Sequence, residues 1–282
     1  MSRELATAFD DVAADYDRHR PTYPDELVDH ACRVAGIGRG DRVLEVGCGT
    51  GQLTRSLVAR GVEVTAVEPG RQLTALAERN LPGGGLVEFV NARFEDAQLP
   101  RARFRAAFAA ASFHWIDPDV SWEKAARALA PGGTLALIQY CGLRAPGLDD
   151  QDALLSSLAR IVPDVAASWP AYRDLVAIAE GVQERRANVS EAWGWIGSHD
   201  VARAHARRWF YDVGVATVPV TVEHTAEELT GTLRTLSFYS ALSPDRRRAL
   251  EREHVAMHDR LGRPIRSSTV AVLLTARRTT AL

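Results

Sequence analysis

The segment that most constrains the fold is a short apolar stretch, 43–46, that runs directly into three alternating glycines, Gly47, Gly49 and Gly51. Because glycine lacks a Cβ atom, the backbone can turn sharply at these positions and approach a ligand closely. A helix is predicted from Gln52, and the free N–H groups at its start would face whatever the loop holds. The pattern therefore predicts a strand, a ligand-binding loop and a helix, in that order.

The glycine spacing distinguishes between two kinds of nucleotide site. The dinucleotide fingerprint is G-x-G-x-x-G, and counted from Gly47 its third glycine would fall at Gln52. The chain instead reads G-x-G-x-G and carries an acidic residue, Glu45, shortly before the first glycine. This arrangement resembles the first motif of class I S-adenosylmethionine (SAM)-dependent methyltransferases. A generic glycine-rich turn and a nicotinamide-dependent oxidoreductase are the alternatives.

Strands and helices alternate along the first half of the chain. Strands are predicted at about 42–46, 62–67, 87–91, 106–111 and 134–140, with helices between them. This rhythm is typical of a parallel sheet with right-handed crossovers. The predicted fold class is α/β: a Rossmann-like, seven-stranded, mostly parallel sheet with an N-terminal helical lid and a helical cap insertion.

The same patterns divide the chain into four segments. A helix at 4–18 opens the first segment, and a turn is predicted at 82–85 between the second and third strands. Residues 148–208 read as helices, and strand-like residues return after them. The segments are a helical lid over 1–38, a SAM-binding Rossmann-like core over 39–140, the cap insertion over 141–208 and a completion of the core sheet over 209–282.

Two further stretches strengthen the resemblance. The end of the fourth strand reads Ser-Phe-His-Trp over 112–115, and the N-terminal segment 16–24 reads Tyr-Asp-Arg-His-Arg-Pro-Thr-Tyr-Pro. Both are similar to small-molecule methyltransferases close to the trans-aconitate methyltransferases. The resemblance covers about residues 5–140 and implies SAM as the cofactor, whereas the cap matches no family motif.

The predicted cofactor site combines what the resemblance implies with the chemistry of each residue. Glu68 ends the second strand, where a carboxylate can accept two hydrogen bonds from a ribose diol. Glu45 suits the SAM ammonium group, directly or through water, while Arg20 and Tyr16 suit its carboxylate. The glycine loop adds Gly47, Cys48, Gly49 and Gly51, and the adenine site adds Arg93, Phe94, Glu95 and the carbonyl near Ala110. Arg93 stands where the family pattern has an aspartate, so the backbone N–H and ring of Phe94 would contact the adenine instead.

Chemistry at this site needs little beyond positioning, because the sulfonium methyl group is already activated. A hydroxyl acceptor would benefit from a base, and His114 lies at the sheet edge where ligands bind. A carboxylate acceptor needs no base, and His114 would then orient it. Tyr23 and Trp115 are the predicted substrate neighbours. A group of aromatic residues in and beside the cap either lines an apolar pocket or packs against the core: Trp169, Tyr172, Trp193, Trp195, Trp209 and Tyr211.

Composition limits the partners and the compartment. The net charge is −2, and Lys124 is the single lysine among 34 basic residues. No long basic tract is present, so nucleic acid is not the predicted substrate. No apolar run reaches bilayer length and no signal core is visible, which predicts a cytoplasmic protein without membrane contact. The three scattered cysteines and the His254/His258 pair lack the spacing of a metal site. Abundant arginine and alanine indicate a GC-rich, bacterial coding sequence.

These observations predict a SAM-dependent methyltransferase that acts on a small molecule of specialised metabolism, with a hydroxyl or carboxyl oxygen as the favoured acceptor. A SAM-binding protein that no longer transfers methyl groups, either a cyclase or a binding module, is the main alternative, since cofactor motifs persist when chemistry changes. The oligomeric state stays open.

Overall fold

The computed structural model describes residues 9–81, 85–145, 147, 150–198 and 206–280. The strands in these residues are β1 (Arg42–Val46), β2 (Glu63–Val67), β3 (Val87–Val90), β4 (Phe104–Ala110), β5 (Leu129–Gly142), β6 (Phe210–His224) and β7 (Ile265–Arg278). The helices are α1 (Ala13–His19), α2 (Asp25–Ala35), α3 (Gln52–Ala59), α4 (Arg71–Asn80), α5 (Pro118–Ala128), α6 (Gln151–Ile161), α7 (Pro163–Ala167), α8 (Leu175–Glu184), α9 (Val189–Gly197), α10 (Ala226–Arg234), α11 (Ser237–Ser240) and α12 (Pro244–Leu261). Short 3-10 turns occupy Asp10–Val12, Phe113–Trp115 and Ala206–Arg208.

The strands form one sheet in the order β3-β2-β1-β4-β5-β7-β6. The strands from β3 to β5 pair in parallel, and β7 runs antiparallel to both of its neighbours. This sheet confirms the predicted α/β class and its mostly parallel character. The strand order reverses between β1 and β4, and in such sheets a crevice for ligands opens beyond the carboxyl ends of the strands at that point.

The core lies on both faces of the sheet, because successive side chains of a strand point to opposite sides. Leu44 of β1 belongs to the cluster that includes Trp122 of α5 and Trp193 of α9. The adjacent Val43 belongs to the other cluster, with Leu27 of α2 and buried residues of α3. The central strands are therefore fixed from both sides, which holds their carboxyl ends in register.

The fifth strand is longer than the predicted 134–140, and the helix before it has a capped start. Helix α5 begins at Pro118, because the side chain of Asp117 accepts a hydrogen bond from the Asp119 N–H and a proline fits the first turn. Strand β5 begins at Leu129, and the segment 131–133 is a bulge within it. Strand pairing with β4 jumps across this bulge, and Gly132 adopts a φ of 74° there.

The N-terminal segment contains two parts with different packing. Residues 4–8 of the predicted helix at 4–18 lie outside the described residues, as do 82–84 of the predicted turn. Helix α1 lies against α10, where a Cβ on Gly231 would come within 2.6 Å of the His19 ring. Helix α2 instead packs on the sheet with its apolar face buried. The division into domains stays a prediction, and the packing of α2 favours a lid that ends before Asp25.

Four helices of the described chain, α6 to α9, lie between β5 and β6, in the segment that the sequence assigns to the cap. Helix α9 is the most buried of them: Trp193 is 1% exposed and belongs to the sheet core. No helix in the described ranges combines the length and the apolar character that crossing a bilayer would require.

Candidate functional site

The first glycine of the loop is required by close packing between two strand ends. The hydroxyl of Ser112, which follows β4, donates a hydrogen bond to the carbonyl of Val46 at the end of β1. A Cβ on Gly47 would overlap the Ser112 side chain, with Oγ only 2.9 Å away. Gly47 also adopts a φ of 73°, which disfavours other residues. The loop can therefore leave β1 only through a glycine.

Glu68 joins the glycine loop to the end of β2. Its side chain is 5% exposed, and its two carboxylate oxygens accept hydrogen bonds from the N–H groups of Gly49 and Gly70, both at 2.9 Å. Burial raises the pKa of this carboxyl, while the two N–H donors oppose the rise. The backbone donors hold the carboxylate at the cavity wall with further lone pairs free to accept hydrogen bonds.

Glu45 lies behind the loop rather than on the cavity wall. Its side chain is 1% exposed, and Oε2 accepts a hydrogen bond of 2.7 Å from the hydroxyl of Thr54. Burial raises the pKa of Glu45 to about 8. Cys48 is also buried, and Gly51 forms the N-cap of α3 with a φ of 91°. These three predicted site residues shape the loop from behind.

The remaining predicted residues meet at one cavity. It has a volume of about 550 Å³ and opens beyond the carboxyl ends of β1, β2, β4 and β5. The predicted residues on its wall are Tyr16, Arg20, Tyr23, Gly47, Gly49, Glu68, Arg93, Phe94, Glu95, Ala110, His114 and Trp115. Residues as distant in sequence as Tyr16 and Trp115 thus face a common space.

The lid contacts the sheet and the elements around it at several places near this cavity, three of which follow. Asp10 Oδ1 accepts hydrogen bonds from the N–H groups of Gln72 and Leu73 at the start of α4, at 2.7 and 3.0 Å. The Tyr140 hydroxyl at the end of β5 donates to the carbonyl of Thr22 at 2.6 Å. Phe9 contributes the third contact, since its ring meets the edge of Trp115 at a centroid distance of 5.4 Å.

Arg20 and Tyr16 lie together on the inner side of the lid. The Arg20 guanidinium is 5.1 Å from the Tyr16 ring centroid, and its Nη2 donates to the carbonyl of Thr235 at 2.7 Å. Arg20 Nε is buried and has no hydrogen-bond partner among the described residues. Burial raises the pKa of Tyr16, although the Arg20 charge opposes this. The pair offers a cation, an N–H donor and a neutral phenol to a ligand.

The loop after β3 contains an arginine and a glutamate that form a salt bridge with each other. Arg93 and Glu95 form a salt bridge of 2.7 Å, so Arg93 already has a partner of opposite charge. Phe94 is 3% exposed, and Lys124 Nζ lies 5.5 Å from its ring centroid. Lys124 also donates to the carbonyl of Glu95 at 2.8 Å. These contacts fix the Phe94 ring at the wall.

His114 follows β4 after a strained residue. Ala111 adopts a φ of 53°, a conformation that non-glycine residues seldom occupy and that tends to occur at functional sites. Its N–H donates to the carbonyl of Ile138 at 2.8 Å, which holds the strained residue against β5. The Phe113–Trp115 turn then places the His114 and Trp115 rings on the cavity wall, with centroids 5.0 Å apart.

The sequence motifs do not reveal the far wall of the cavity. Five consecutive cap residues, Trp169–Arg173, line it, together with Leu236–Phe238 and residues near the end of β5. Of the cap aromatics that the sequence singles out, Trp169 and Tyr172 lie on this wall, whereas Trp193 packs in the core. The aromatic content of the cap was the only sequence signal for this wall. Within the described part of the chain, no group of three or more His, Cys, Asp or Glu side chains could hold a metal ion.

Comparisons with known proteins agree with this geometry. Residues 44–137, which span the glycine loop and the strands around it, match the family described as methyltransferase domain. A candidate type II methyltransferase from Anaeromyxobacter dehalogenans has the same fold, with a TM-score of 0.57 at 23% identity over 92% of this chain and 97% of the other. Residues 44–137 are thus similar to a methyltransferase domain, and the sheet around them has the fold of that structure.

Relatives with closer sequences match only part of the protein. An uncharacterized methyltransferase of Mycobacterium bovis is 35% identical over 136 residues, which are 48% of this chain and 53% of the relative. A ribosomal RNA small subunit methyltransferase A from an Anaeromyxobacter species is 42% identical over 85 residues, 30% of each chain. The chain therefore spans about half the length of the mycobacterial relative, and the cap and the C-terminal strands lie outside the matched family domain.

Proposed function

We propose that the protein transfers a methyl group from SAM to a small-molecule acceptor, with an oxygen of a hydroxyl or carboxyl group as the favoured site. The observation that carries this proposal is the shape of the cavity. One space of about 550 Å³ extends from the glycine loop to the cap segment and is covered by the lid. Its volume falls in the range of about 300–1,000 Å³ that is usual for small-molecule sites.

The described residues fit SAM by the chemistry of their groups. Glu68 would accept hydrogen bonds from the ribose hydroxyls, and the buried Nε of Arg20 would donate to the carboxylate. The Phe94 ring and the Ala110 carbonyl would contact the adenine. Glu45 would act on the ammonium group through water, because its carboxylate lies behind the loop. Cys48 and Gly51 would contribute through the loop backbone, while Arg93 stays paired with Glu95.

SAM supplies a methyl group that is already activated by its sulfonium, so the protein's task is to align the acceptor. Tyr23 and Trp115 would hold the acceptor from the lid side and from the end of β4. His114 would take the proton from an acceptor hydroxyl at its imidazole nitrogen. The relation to the trans-aconitate group and a cytoplasmic location remain part of the same proposal.

The first experiment measures binding of S-adenosylhomocysteine by calorimetry. The Gly49→Val variant is expected to lose binding, because Gly49 adopts a φ of 57° and a Cβ there would lie 3.4 Å from the Tyr16 ring. Gly38→Val is the matched control, since a Cβ at Gly38 meets nothing within 4 Å and its φ is not positive. Binding of NAD instead of S-adenosylhomocysteine would contradict the cofactor assignment.

The second experiment identifies the class of acceptor. The protein is incubated with methyl-labelled SAM and with separate low-mass, RNA and protein fractions of a bacterial extract. Label is expected in the low-mass fraction, and Gly49→Val should abolish it. Label in the RNA fraction would favour the activity named for the ribosomal RNA relative. Tight S-adenosylhomocysteine binding without label in any fraction would favour the non-methylating alternative.

A further inference from the structure

The cap segment Trp169–Arg173 is fixed to the end of β5. Leu143 and Arg173 form an isolated parallel bridge, in which the Arg173 N–H donates to the Gly142 carbonyl at 3.2 Å and the Arg144 N–H donates to the Arg173 carbonyl at 2.9 Å. The Tyr172 ring occupies the space where Gly142 would otherwise carry a side chain. The backbone of Arg173 is therefore held in place by the sheet rather than by the cap helices.

The Arg173 side chain contacts Trp195 and Ile196, and Arg173 is one of the residues that line the cavity. Its guanidinium lies 4.3 Å from the centroid of the Trp195 ring, and Nη1 donates to the carbonyl of Ile196 at 3.2 Å. Arg185 is near the same ring, at 5.1 Å from its centroid. The two arginines differ in their partners: Arg185 pairs with Glu184 at 3.0 Å, whereas Arg173 forms no salt bridge with any acidic residue that the structure describes.

The charges on the cavity wall leave Arg173 without a counter-charge. The acidic side chains among the described lining residues are Glu68 and Glu95. Glu68 is bonded to two backbone N–H groups, and Glu95 pairs with Arg93. Arg173 therefore brings a positive charge to the far wall of the cavity, which is otherwise largely apolar and aromatic, whereas Arg20 and Arg93 lie on the side of the lid and of β3. Such a charge is costly to desolvate unless a ligand of opposite charge compensates it.

The position of Arg173 indicates that a negatively charged ligand beside it would be the methyl acceptor rather than SAM. Arg173 is bridged to the end of β5, whereas Glu68 ends β2, and the strand order places β1 and β4 between them. Three strand spacings correspond to about 14 Å. SAM bound at Glu68 and Phe94 would have its own carboxylate at Arg20 of the lid, so the anion at Arg173 belongs to a second molecule.

We propose that the methyl acceptor carries a carboxylate that Arg173 binds and that is not itself methylated. This inference rests on the proposed function of the cavity and narrows its substrate class. The planar guanidinium can donate two parallel N–H groups to a carboxylate, which fixes direction as well as distance. The methyl-accepting group then lies at the other end of the acceptor, near His114.

Calorimetry with a matched pair of probes tests this proposal. Benzoate and its neutral analogue benzamide are titrated at low chloride into protein saturated with S-adenosylhomocysteine. The wild type is expected to bind benzoate at least about tenfold more tightly than benzamide, in line with a charge-assisted bidentate pair. Arg173→Gln should lose this preference. Arg173→Lys should keep part of it, because the positive charge remains but the two parallel N–H donors of the guanidinium are lost.

The control is Arg185→Gln, which removes a cation from the same tryptophan but not from the cavity wall, and it should keep the full preference. Equal binding of benzoate and benzamide to the wild type, no binding of benzoate, or a preference that survives in Arg173→Gln would each overturn the proposal. Thermal unfolding of every variant checks the fold. S-adenosylhomocysteine is also titrated alone, so a failure of the cofactor assignment is seen separately from a failure at Arg173.

Discussion

The two halves of the cavity wall differ in the groups that they present, which are mainly backbone groups in one half and side chains in the other. The half near β1 and β2 presents mainly backbone groups and one buried carboxylate, and its parts are held by hydrogen bonds such as those from Gly49 and Gly70 to Glu68. The half near β5 presents side chains from the lid, the cap and α11, held by ring contacts such as that of Trp169 with Phe238 at 5.6 Å. Backbone geometry tolerates little change, whereas side chains can be exchanged. The first half therefore leaves little room for substitution, whereas the second can be changed one side chain at a time.

The largest expected effect is in the backbone half. Gly47→Ala forces a Cβ against Ser112 at a φ of 73°, which should lower the free energy of unfolding by about 3 kcal/mol and abolish S-adenosylhomocysteine binding. Urea denaturation and calorimetry measure the two losses. The double variant Gly47→Ala/Ser112→Gly removes the overlap and should recover part of the stability. A single variant as stable as the wild type would show that the strand ends can separate.

His114 lies between the two halves and should affect turnover rather than cofactor binding. For a hydroxyl acceptor, His114→Ala is expected to lower kcat by about 10² to 10³, the usual contribution of a general base, and to remove one limb of the pH profile. Affinity for S-adenosylhomocysteine should stay within about twofold of the wild type. If turnover at saturating acceptor is unchanged at every pH, His114 is not the base.

A smaller effect is the release of a proton from Glu45 when S-adenosylhomocysteine binds. Burial raises the pKa of this carboxyl to about 8 in the free protein, so at pH 7 it is mostly protonated. The ammonium group of S-adenosylhomocysteine favours the ionised form, so binding should release close to one proton at pH 7 and fewer at pH 9. The number of protons released is obtained by measuring the binding enthalpy in several buffers that differ in ionisation enthalpy. Glu45→Gln should reduce the number of protons released on binding to near zero. Uptake of protons by the wild type would contradict the assignment of Glu45 to the ammonium group.

The smallest effect is expected at the junction of the lid with β5. Tyr140→Phe keeps the ring that stacks on Tyr23 at a centroid distance of 5.7 Å but removes the hydrogen bond to Thr22. Loss of about 1 kcal/mol should weaken S-adenosylhomocysteine binding about fivefold, mainly through faster dissociation. Stopped-flow fluorescence measures the rate. An unchanged dissociation rate would mean that this contact does not hold the lid closed.

The sequence predicts the backbone half well because its parts are contiguous. The apolar strand, the glycines and the start of α3 occupy neighbouring positions, so local rules suffice. For Glu45 the sequence leaves a direct and a water-mediated contact with the ammonium group open. Its carboxylate accepts from Thr54 behind the loop, because alternation along β1 depends on which helix covers that face. Arg173 is missed altogether, since a single bridge to Leu143 brings it to the site from a segment with no recognisable motif.

Phe9 of the lid contacts two residues of the cavity wall. Its ring meets Tyr16 at a centroid distance of 6.0 Å and Trp115 at 5.4 Å, so one aromatic side chain joins the inner side of the lid to the turn after β4. If the donor and the acceptor bind as proposed, both products would leave past this contact. Movement of the lid around Phe9, rather than the transfer step, would then set the rate of the whole cycle.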